Sequence, residues 1–334
     1  MKSIRSVMQS CYKGLFISTS RTVRLSYFPV CRRHFIRRRM DDIQKWIQCG
    51  RYRVFAWSIA GMETSVVVKS NDLEVAFDMG YSSRESIRCR DVFISHGHMD
   101  HIAALPHHAA KRSLFSLPRP NYYVPAHLPD LIQSVAQGYK SIDETTTALT
   151  NMSIVPLGPD DVAKLPKGYT VKSFPTVHRI PSQGYIVYKT SQQLKPEYQD
   201  QPGTDLGALH RSGVQIHDTI TTPEIAYLGD TTFEVFLSPP TPDLLKVKVI
   251  ITEATYIEET TGKDYVEQAR KRGHTHLSEI VSNSHLFDEV DSVVIMHLSD
   301  KYSVDFIKDR CTEMIPLPFR RKVRIATLAK EKTS

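Results

Sequence analysis

Short apolar runs recur along the chain after residue 50, and several of them end at a side chain that can bind a metal ion. Val92–Ile94 is one such run, and a histidine loop, residues 95–101, follows it directly. Apolar runs bounded by glycine or polar residues are typical of strands buried in a sheet. We predict strands at Arg51–Ile59, Ser65–Lys69, Leu73–Phe77, Val92–Ile94, Tyr122–Val124, Ser153–Val155, Thr170–Phe174, Tyr185–Tyr188, Ile225–Leu228, Val247–Thr252 and Val293–Met296.

Apolar residues spaced three and four positions apart predict helices between these strands. Ile102–Leu114 fits this spacing, and so does Pro129–Tyr139, whose Leu131, Ile132 and Val135 are expected to face inward. Because helices alternate with strands through both halves of the chain, the pattern favours a layered α/β domain. Further helices are predicted at Tyr265–Arg272, at Leu277–Ser284 and from Ser303 through Cys311.

Residues 191–222 are the least patterned part of the chain. They mix Gln, Lys, Asp, Pro and Gly, with two short helical possibilities near Lys195–Tyr198 and Leu206–Arg211. We interpret the region near 190–222 as a compact insert. It is either an inserted arm or an ordinary pair of connecting helices.

The composition restricts the class of protein. The chain has 334 residues, 41% of them hydrophobic and 24% charged, so it can bury a full core. No run of apolar residues approaches the eighteen needed for a membrane span, and no membrane partner is expected. The five cysteines are scattered without a CxxC pair, which favours free thiols in a reducing compartment over disulfides or zinc fingers.

The formal charge of +7 is unevenly distributed. Residues 1–40 contain ten Lys and Arg and no acidic residue, which leaves 33 basic and 36 acidic residues in the rest of the chain. A segment rich in Arg and Ser and poor in acid is typical of an organelle transit peptide. We therefore predict that residues 1–45 address a chloroplast or mitochondrion. A basic arm that contacts nucleic acid, or a nuclear import signal at 37–39, is the alternative and would place the protein in the nucleus or cytoplasm.

Side chains that can bind a metal follow four of the predicted strands. Imidazole nitrogens and carboxylate oxygens are ligands of zinc, and a catalytic zinc site keeps one position open for water. Strand ends along one edge of a sheet converge in space, so these residues can supply two zinc ions if Asp230 binds both. The candidate ligands are His96, His98, Asp100, His101, His178, Asp230 and His297.

Asp78 follows the predicted strand Leu73–Phe77, which comes one strand before the strand that leads into the histidine loop. It is either an ordinary turn residue or a carboxylate that orients a metal-binding histidine from behind and raises its basicity. His107 and His108, which follow the loop, are expected to be surface or packing residues.

These features resemble the metallo-β-lactamase superfamily, which folds as a four-layer αββα sandwich around a binuclear metal site. The HxHxDH pattern of the histidine loop specifies only the superfamily. Within it, residues 50–305 resemble the tRNase Z family, most closely its short, plant-type members, which remove the 3′ trailer from precursor tRNA. The segments that carry this resemblance are Gly61–Thr64, Ala76–Gly80, Ser182–Tyr185, Leu228–Thr232, Thr252–Thr255, Gly273–His276 and Met296–Ser299.

The resemblance implies a catalytic domain at residues 46–334 with two zinc ions per chain, bridged by Asp230. The ligands of one zinc ion would be His96, His98 and His178. Those of the other would be Asp100, His101 and His297. Asp100 would also orient the attacking water, and His274, supported by Glu253, would protonate the leaving 3′ oxygen. The products would be tRNA with a 3′-hydroxyl and a trailer with a 5′-phosphate.

The family is typically homodimeric, and its substrate here would be precursor tRNA. Because the body carries a formal charge of −3, local basic patches must hold the RNA, and such contacts position a nucleic acid without reading its sequence. A solvated surface is the alternative interpretation of these charges. The candidates are Lys189, Lys195 and Arg211 in the insert, with Lys263, Arg270, Lys271 and Arg272 before His274.

Three features depart from the family. Thr252 stands where many members carry a histidine, Lys301 stands where an arginine is common, and the tail after about Ile315 no longer resembles them. Two other functions therefore remain open on the sequence. One is another hydrolase of the superfamily, acting on a thioester or a cyclic phosphodiester. The other is a catalytically silent RNA-binding scaffold, against which the complete set of metal ligands argues.

Overall fold

Two seven-stranded sheets pack face to face in this protein. The structure is a computed structural model, and it describes residues 45–144, 152–258 and 264–333. The predicted transit peptide, apart from residue 45, and the candidate RNA contact Lys263 lie outside these residues. Residues 43–334 form one compact unit.

The first sheet is built from the first half of the chain, and its strands are adjacent in sequence order. Its first four strands are antiparallel, and the remaining three continue in parallel. From edge to edge the strands are β1 Ile47–Cys49, β2 Tyr52–Ile59, β3 Glu63–Lys69, β4 Glu74–Phe77, β5 Asp91–Phe93, β6 Asn121–Pro125 and β7 Ser153–Leu157.

The second sheet is built the same way from the second half of the chain. Each of its first four strands pairs with the next in antiparallel orientation. The fourth strand then pairs in parallel with the fifth, and the last two strands continue in parallel. The strands are β8 Val162–Leu165, β9 Tyr169–Pro175, β10 Gln183–Leu194, β11 His217–Tyr227, β12 Val249–Glu253, β13 Ser292–Met296 and β14 Val323–Ile325.

Helices connect the parallel strands and cover the outer faces of both sheets. Within the described residues, none of them combines the length and apolar character needed to cross a membrane. The α-helices are α1 Met99–Ile102, α2 Leu105–Leu114, α3 Pro129–Asp143, α4 Gly203–Arg211, α5 Glu234–Leu237, α6 Tyr265–Lys271, α7 Leu277–Ser282, α8 Val304–Met314, α9 Leu317–Arg320 and α10 Leu328–Thr333.

Three hydrophobic cores separate the layers. The central core joins the inner faces of the two sheets, with Phe77 of β4 stacked on Tyr227 of β11 at 4.7 Å between ring centroids. A second core packs α2 and α3 on the first sheet, and a third packs α7 and α8 on the second. Sheets that are apolar on both faces need a helix layer on each outer side. The predicted four-layer αββα sandwich is confirmed.

All predicted strands are present, and the strands that the pattern missed are short. β1, β8 and β14 have three or four residues each and lie at edges of the sheets. An edge strand is partly solvated, so it lacks the continuous apolar run that reveals a central strand.

Two helix predictions needed correction. The segment Ile102–Leu114 is divided between α1 and α2, which begins at Leu105 with a proline in its first turn. In α3 only Ile132 faces the sheet as expected, whereas Leu131 and Val135 are 61% and 54% exposed. The helix carries two apolar stripes, and its packing against the sheet decides which of them is buried.

The insert is an arm. Beyond Lys189, residues 190–194 of β10 pair only with residues 217–221 of β11, so the two strands form a two-stranded ribbon that leaves the sheet. A 3₁₀ turn at Pro196–Tyr198 and helix α4 close its tip, near both predicted helical positions.

Candidate active site

The seven candidate metal ligands meet at one edge of the sandwich, in two groups that share Asp230. Within each group the ligand atoms all lie within 4.8 Å of one another. The first group consists of His96, His98, His178 and Asp230, and the second of Asp100, His101, Asp230 and His297.

In the first group, imidazole nitrogens face one another. Nδ1 of His98 lies 3.0 Å from Nε2 of His96 and 3.2 Å from Nε2 of His178. A tetrahedral zinc ion with ligand distances of about 2.0–2.1 Å separates its ligands by about 3.3 Å. The spacing of these three nitrogens therefore fits the coordination of one metal ion.

The second group has the same spacing. Nε2 of His101 lies 3.4 Å from Nε2 of His297, and Oδ2 of Asp100 lies 3.4 Å and 3.3 Å from these two nitrogens. Two imidazoles and a carboxylate are suitable donors for a catalytic zinc ion.

Asp230 presents one oxygen to each group. Its Oδ2 is 3.8 Å from Nε2 of His96, and its Oδ1 is 3.3 Å from Nε2 of both His101 and His297. Oδ1 is buried without a hydrogen-bond partner. Buried polar atoms are almost always satisfied, and a carboxylate oxygen facing several imidazole lone pairs is satisfied by a cation. The residues therefore fit a pair of metal ions bridged by Asp230.

Asp78 organises the ligands of both groups from behind. Its Oδ2 lies 2.6 Å from Nδ1 of His101 and also accepts hydrogen bonds from the hydroxyls of Tyr227 and Ser95. The Ser95 hydroxyl lies 2.9 Å from Nδ1 of His96. Such contacts fix the orientation of a ligand ring and leave its other nitrogen for the metal.

The ligand histidines of the second sheet are held in the same manner. Nδ1 of His178 donates to the carbonyl of Gly273 at 2.7 Å, and Nδ1 of His297 lies 3.0 Å from the hydroxyl of Thr255. Sequence reasoning missed Ser95, Tyr227 and Thr255 as orienting residues, since serine, threonine and tyrosine are common and only their contacts distinguish them.

Burial keeps the histidines of the first group neutral. It lowers the pKa of His96, His98 and His178 below the usual value, with the neighbouring imidazoles acting in the same direction. A metal ligand must be the neutral imidazole, so this environment suits metal binding.

The carboxylates concentrate negative charge at the second group. Burial raises the pKa of Asp230, but the imidazoles of His297 and His101 outweigh it and hold the pKa well below its usual value. For His101 burial lowers the pKa, and the charges of Asp230 and Asp78 reverse this and raise it well above the usual value. A buried excess of carboxylate charge is what a cation site requires.

Glu253 and His274 form a pair next to the metal ligands. Nδ1 of His274 donates to Oε1 of Glu253 at 2.8 Å and lies 4.0 Å from Oδ2 of Asp230. Glu253 also accepts from the backbone N–H of Thr231 and from the amide and hydroxyl of Thr255, so its oxygens are satisfied within the protein. Burial lowers the pKa of His274, but Glu253 outweighs it and raises the pKa to about 9.

Unusual backbone conformations place these side chains. Asp78 and His297 have left-handed φ angles of 52° and 58°, which are strained for residues other than glycine. Gly80 leaves no room for a side chain, because a Cβ there would lie 1.7 Å from the carbonyl oxygen of Asp100. The N–H of Gly61 donates to Oδ2 of Asp100 at 2.9 Å. The turns at Gly61 and Gly80 therefore hold the histidine loop.

A cavity of about 260 Å³ opens onto the ligands. Four of the candidate ligands line it: His98, Asp100, Asp230 and His297. Its lining residues outside these groups are Ala60, Gly61, Arg179, Thr255, Tyr256, His274 and Ser299. His107 and His108 lie away from it; His107 is exposed, and His108 is buried against the hydroxyl of Tyr122.

Three RNA contacts were predicted in the insert. One of them already pairs with a carboxylate, and the other two have no such partner among the described residues. Nζ of Lys189 is 3.0 Å from Oδ2 of Asp72, at the base of the ribbon. Within the described part of the chain, Lys195 and Arg211 have no ion pair within 4.0 Å; Lys195 is half-buried and Arg211 is exposed.

The predicted contacts on α6 are all engaged within the protein. Arg270 pairs with Glu279 at 2.7 Å, and Lys271 lies 3.5 Å from Glu267. Arg272 donates to the hydroxyl of Tyr256 at 2.8 Å.

No protein-family model matches the chain. The metallo-β-lactamase fold protein YhfI from Bacillus subtilis aligns with a TM-score of 0.53 at 14% identity, over 82% of this chain and 96% of YhfI, and it confirms the fold.

Two curated relatives match at higher identity. tRNase Z TRZ1 of Arabidopsis thaliana is 36% identical over 273 residues, which cover 82% of this chain and 94% of the relative. The chloroplastic tRNase Z TRZ2 of the same organism is 34% identical over 266 residues, which cover 80% of this chain and 73% of the relative. The resemblance carried by the histidine loop, Glu253 and His274 is thereby confirmed, and this chain belongs to the tRNase Z family.

Proposed function

We propose that this protein is a zinc-dependent endoribonuclease that removes the 3′ trailer from precursor tRNA. The observation that carries the proposal is the Glu253–His274 pair, whose His274 lines the same cavity as His98, Asp100, Asp230 and His297 of the two candidate ligand groups. Metal ligands alone support hydrolysis in general, whereas an oriented proton donor beside them suits the departure of an alkoxide. Both Arabidopsis relatives are named tRNase Z.

The metal ions are two zinc ions per chain. One would be held by His96, His98 and His178, the other by Asp100, His101 and His297, and Asp230 would contact both. When bound, two such ions would bring the pKa of the water they hold close to neutral pH, and they would neutralise negative charge on a phosphodiester.

The side chains perform the rest of the reaction. Asp100, fixed by the N–H of Gly61, orients the attacking water. His274 gives a proton from Nε2 to the leaving 3′ oxygen, while Glu253 accepts the hydrogen bond of Nδ1 and holds the ring in place. The tRNA then carries a 3′-hydroxyl and the trailer a 5′-phosphate.

Incubation of the full chain with a 3′-extended tRNA tests this function. We expect one cut at the end of the acceptor stem, with the two product ends stated above, and about two zinc ions per chain by elemental analysis. A chelator should abolish the cut, and added zinc should restore it. Cleavage of a thioester or cyclic phosphodiester without cleavage of the tRNA would favour the other hydrolases, and binding of tRNA without zinc would favour a silent scaffold.

The protein acts as a homodimer through α3. Leu131, Val135, Tyr139 and Ile142 are 49% to 79% exposed, and their spacing places them on one stripe of the helix. A contiguous exposed apolar stripe is typical of a protein–protein interface. Light scattering should give twice the chain mass, and L131D with V135D should give the monomer. The matched control is Gln133→Asp, at an exposed position beside the stripe, which should remain dimeric.

Residues 1–45 direct the protein to an organelle, a chloroplast or a mitochondrion, and residues 46–334 form one catalytic domain with the compact insert. The basic composition of residues 1–40, which contain no acidic residue, and the name of the chloroplastic relative support this. A fluorescent protein fused behind residues 1–45 should enter one of the two organelles. Nuclear or cytoplasmic fluorescence would contradict the proposal.

A further inference from the structure

Arg179 is a basic side chain in the active-site cavity that neither metal binding nor proton transfer uses. It follows the ligand His178 directly, is exposed, and lines the cavity together with His98, Asp230 and His274. The sequence does not single out Arg179, because it belongs to no basic cluster and its neighbour His178 is the residue that fits the metal-ligand pattern.

The charge of Arg179 is available, in contrast to the other basic side chains near the cavity. Arg272 donates to Tyr256, and Lys301, at the position where the family commonly has arginine, pairs with Glu258 and lies 5.2 Å from the centre of the Tyr256 ring. Among the residues that the structure describes, the Arg179 guanidinium has no hydrogen bond and no carboxylate within 4.0 Å. It is therefore free to bind a ligand.

The backbone fixes where this side chain begins. Gly273 has a φ of 77°, and a Cβ there would lie 2.6 Å from Nδ1 of His178 and 3.0 Å from the amide nitrogen of Arg179. The N–H of Val177 donates to the hydroxyl of Thr231 at 3.1 Å. Gly273 thus lets the segment that carries His274 pack against the stem of Arg179, so the guanidinium and the proton donor lie on the same side of the cavity.

The cavity needs such a charge. Asp100 and Asp230 line it, the buried Glu253 is hydrogen-bonded to His274, and a nucleic-acid backbone brings further negative charge. Metal ions held by the two ligand groups would offset the ligand carboxylates, and Arg179 belongs to neither group. A guanidinium presents a planar fork of donors that matches two oxygens of one phosphate, which an ammonium cannot do.

We propose that Arg179 binds a backbone phosphate of precursor tRNA, at or next to the cut, on the side of the leaving 3′ oxygen. The inference rests on the proposed function and adds a positioning contact to it. Arg179 holds the acceptor strand so that the leaving oxygen faces His274, and it takes no part in the transfer of the proton.

Substitution of Arg179 tests the contact by kinetics. Arg179→Ala should lower kcat/KM for a 3′-extended tRNA about 10- to 100-fold, the range for a lost hydrogen bond to a charged group. Arg179→Lys should recover part of this loss, because it restores charge without the fork. Zinc content and the thermal unfolding midpoint should match the wild type. Arg321→Ala, at an exposed arginine outside the cavity, is the matched control, and its effect should stay below about threefold.

A second measurement separates this contact from a structural role. Methylphosphonate, which carries no charge, replaces one phosphate at a time: the cut phosphate and its neighbour on each side. Each modified tRNA serves as a competitor of cleavage, and its affinity for wild type and for Arg179→Ala is compared. At the contacted position the two proteins should bind equally, whereas at the other positions wild type should bind more tightly.

Three results would overturn the inference. They are an unchanged kcat/KM for Arg179→Ala, a loss of zinc in that variant, and an equal penalty at all three phosphates. If the wild-type protein cleaves the tRNA, each of these rejects only the Arg179 contact. If the wild type does not cleave it, the proposed function fails, and the contact fails with it.

Discussion

The two halves of the sandwich contribute to the active site in different ways. The first half supplies four metal-binding side chains from six consecutive residues of the histidine loop, directly after β5. The second half supplies His178, Asp230 and His297 from three separate loops, Glu253 from the end of β12, and His274 from a fourth loop. A local motif thus provides four of the seven candidate metal ligands, and remote residues provide the other three together with the proposed proton donor.

The difference extends to what holds each half in place. The histidine loop is held largely by the first half, through the turns at Gly61 and Gly80 and through Asp78, which follows β4. The second half adds the hydrogen bond from Tyr227 to Asp78. The loops of the second half hold one another: His178 donates to Gly273, and Glu253 accepts from Thr231 and Thr255. Changes in the first half should therefore affect metal binding, whereas the second half should allow metal binding and chemistry to be separated.

Asp230→Ala should have the largest effect, because both ligand groups depend on this residue. We expect kcat/KM for a 3′-extended tRNA to fall by at least about 10³-fold, as the loss of several kcal/mol of metal-based stabilisation implies. Elemental analysis should show fewer than two zinc ions per chain. Asp218→Ala, at an exposed position of the same half, is the control. Two zinc ions in an active Asp230→Ala protein would contradict the shared role of Asp230.

His274→Ala should separate chemistry from metal binding. Loss of a general acid typically lowers the rate about 10²- to 10⁴-fold, and zinc content should remain that of the wild type. The control is His285→Ala, at an exposed histidine of the same half. If zinc is lost together with activity, His274 is a metal ligand rather than a proton donor.

Asp78→Asn should weaken the metal site from the first half. Carboxylates that orient a ligand histidine typically contribute about 10- to 100-fold to metal affinity. We expect zinc, titrated against a chelator, to bind more weakly by that factor, with activity restored by excess zinc. An unchanged zinc affinity with reduced activity would place Asp78 in the chemistry instead.

The smallest expected effect lies on the ribbon. Simultaneous change of Lys195 and Arg211 to Ala should reduce tRNA affinity a few-fold, since each side chain supplies at most one phosphate contact, and the salt dependence of binding should decrease. The tRNA affinity of Lys189→Ala is a useful comparison with that of the double variant, because Lys189 is already paired with Asp72. Equal affinity for the double variant and the wild type would remove the ribbon from the RNA-binding surface.

Much of the candidate site is visible in the sequence because donor chemistry and strand endings are local features. His96, Asp230 and His297 each follow an apolar run, and the period of a buried strand needs no tertiary information. The inward face of α3 was not predictable in the same way. Leu131 and Ile132 are equally apolar, and the packing of α3 against the first sheet buries only Ile132.

By itself, therefore, the sequence determined the α/β class and the family, and it predicted the residues that form the two candidate ligand groups. These follow from side-chain type and spacing along the chain. Only the tertiary structure decided that Asp230 directs one oxygen to each group and that Asp78 supports ligands of both groups through Ser95 and His101. It also showed that the Arg179 guanidinium has no partner among the described residues, whereas Arg272 donates a hydrogen bond to the Tyr256 hydroxyl. The physical reason is that an ion pair or hydrogen bond depends on which residues meet in space, and these partners lie far apart along the chain.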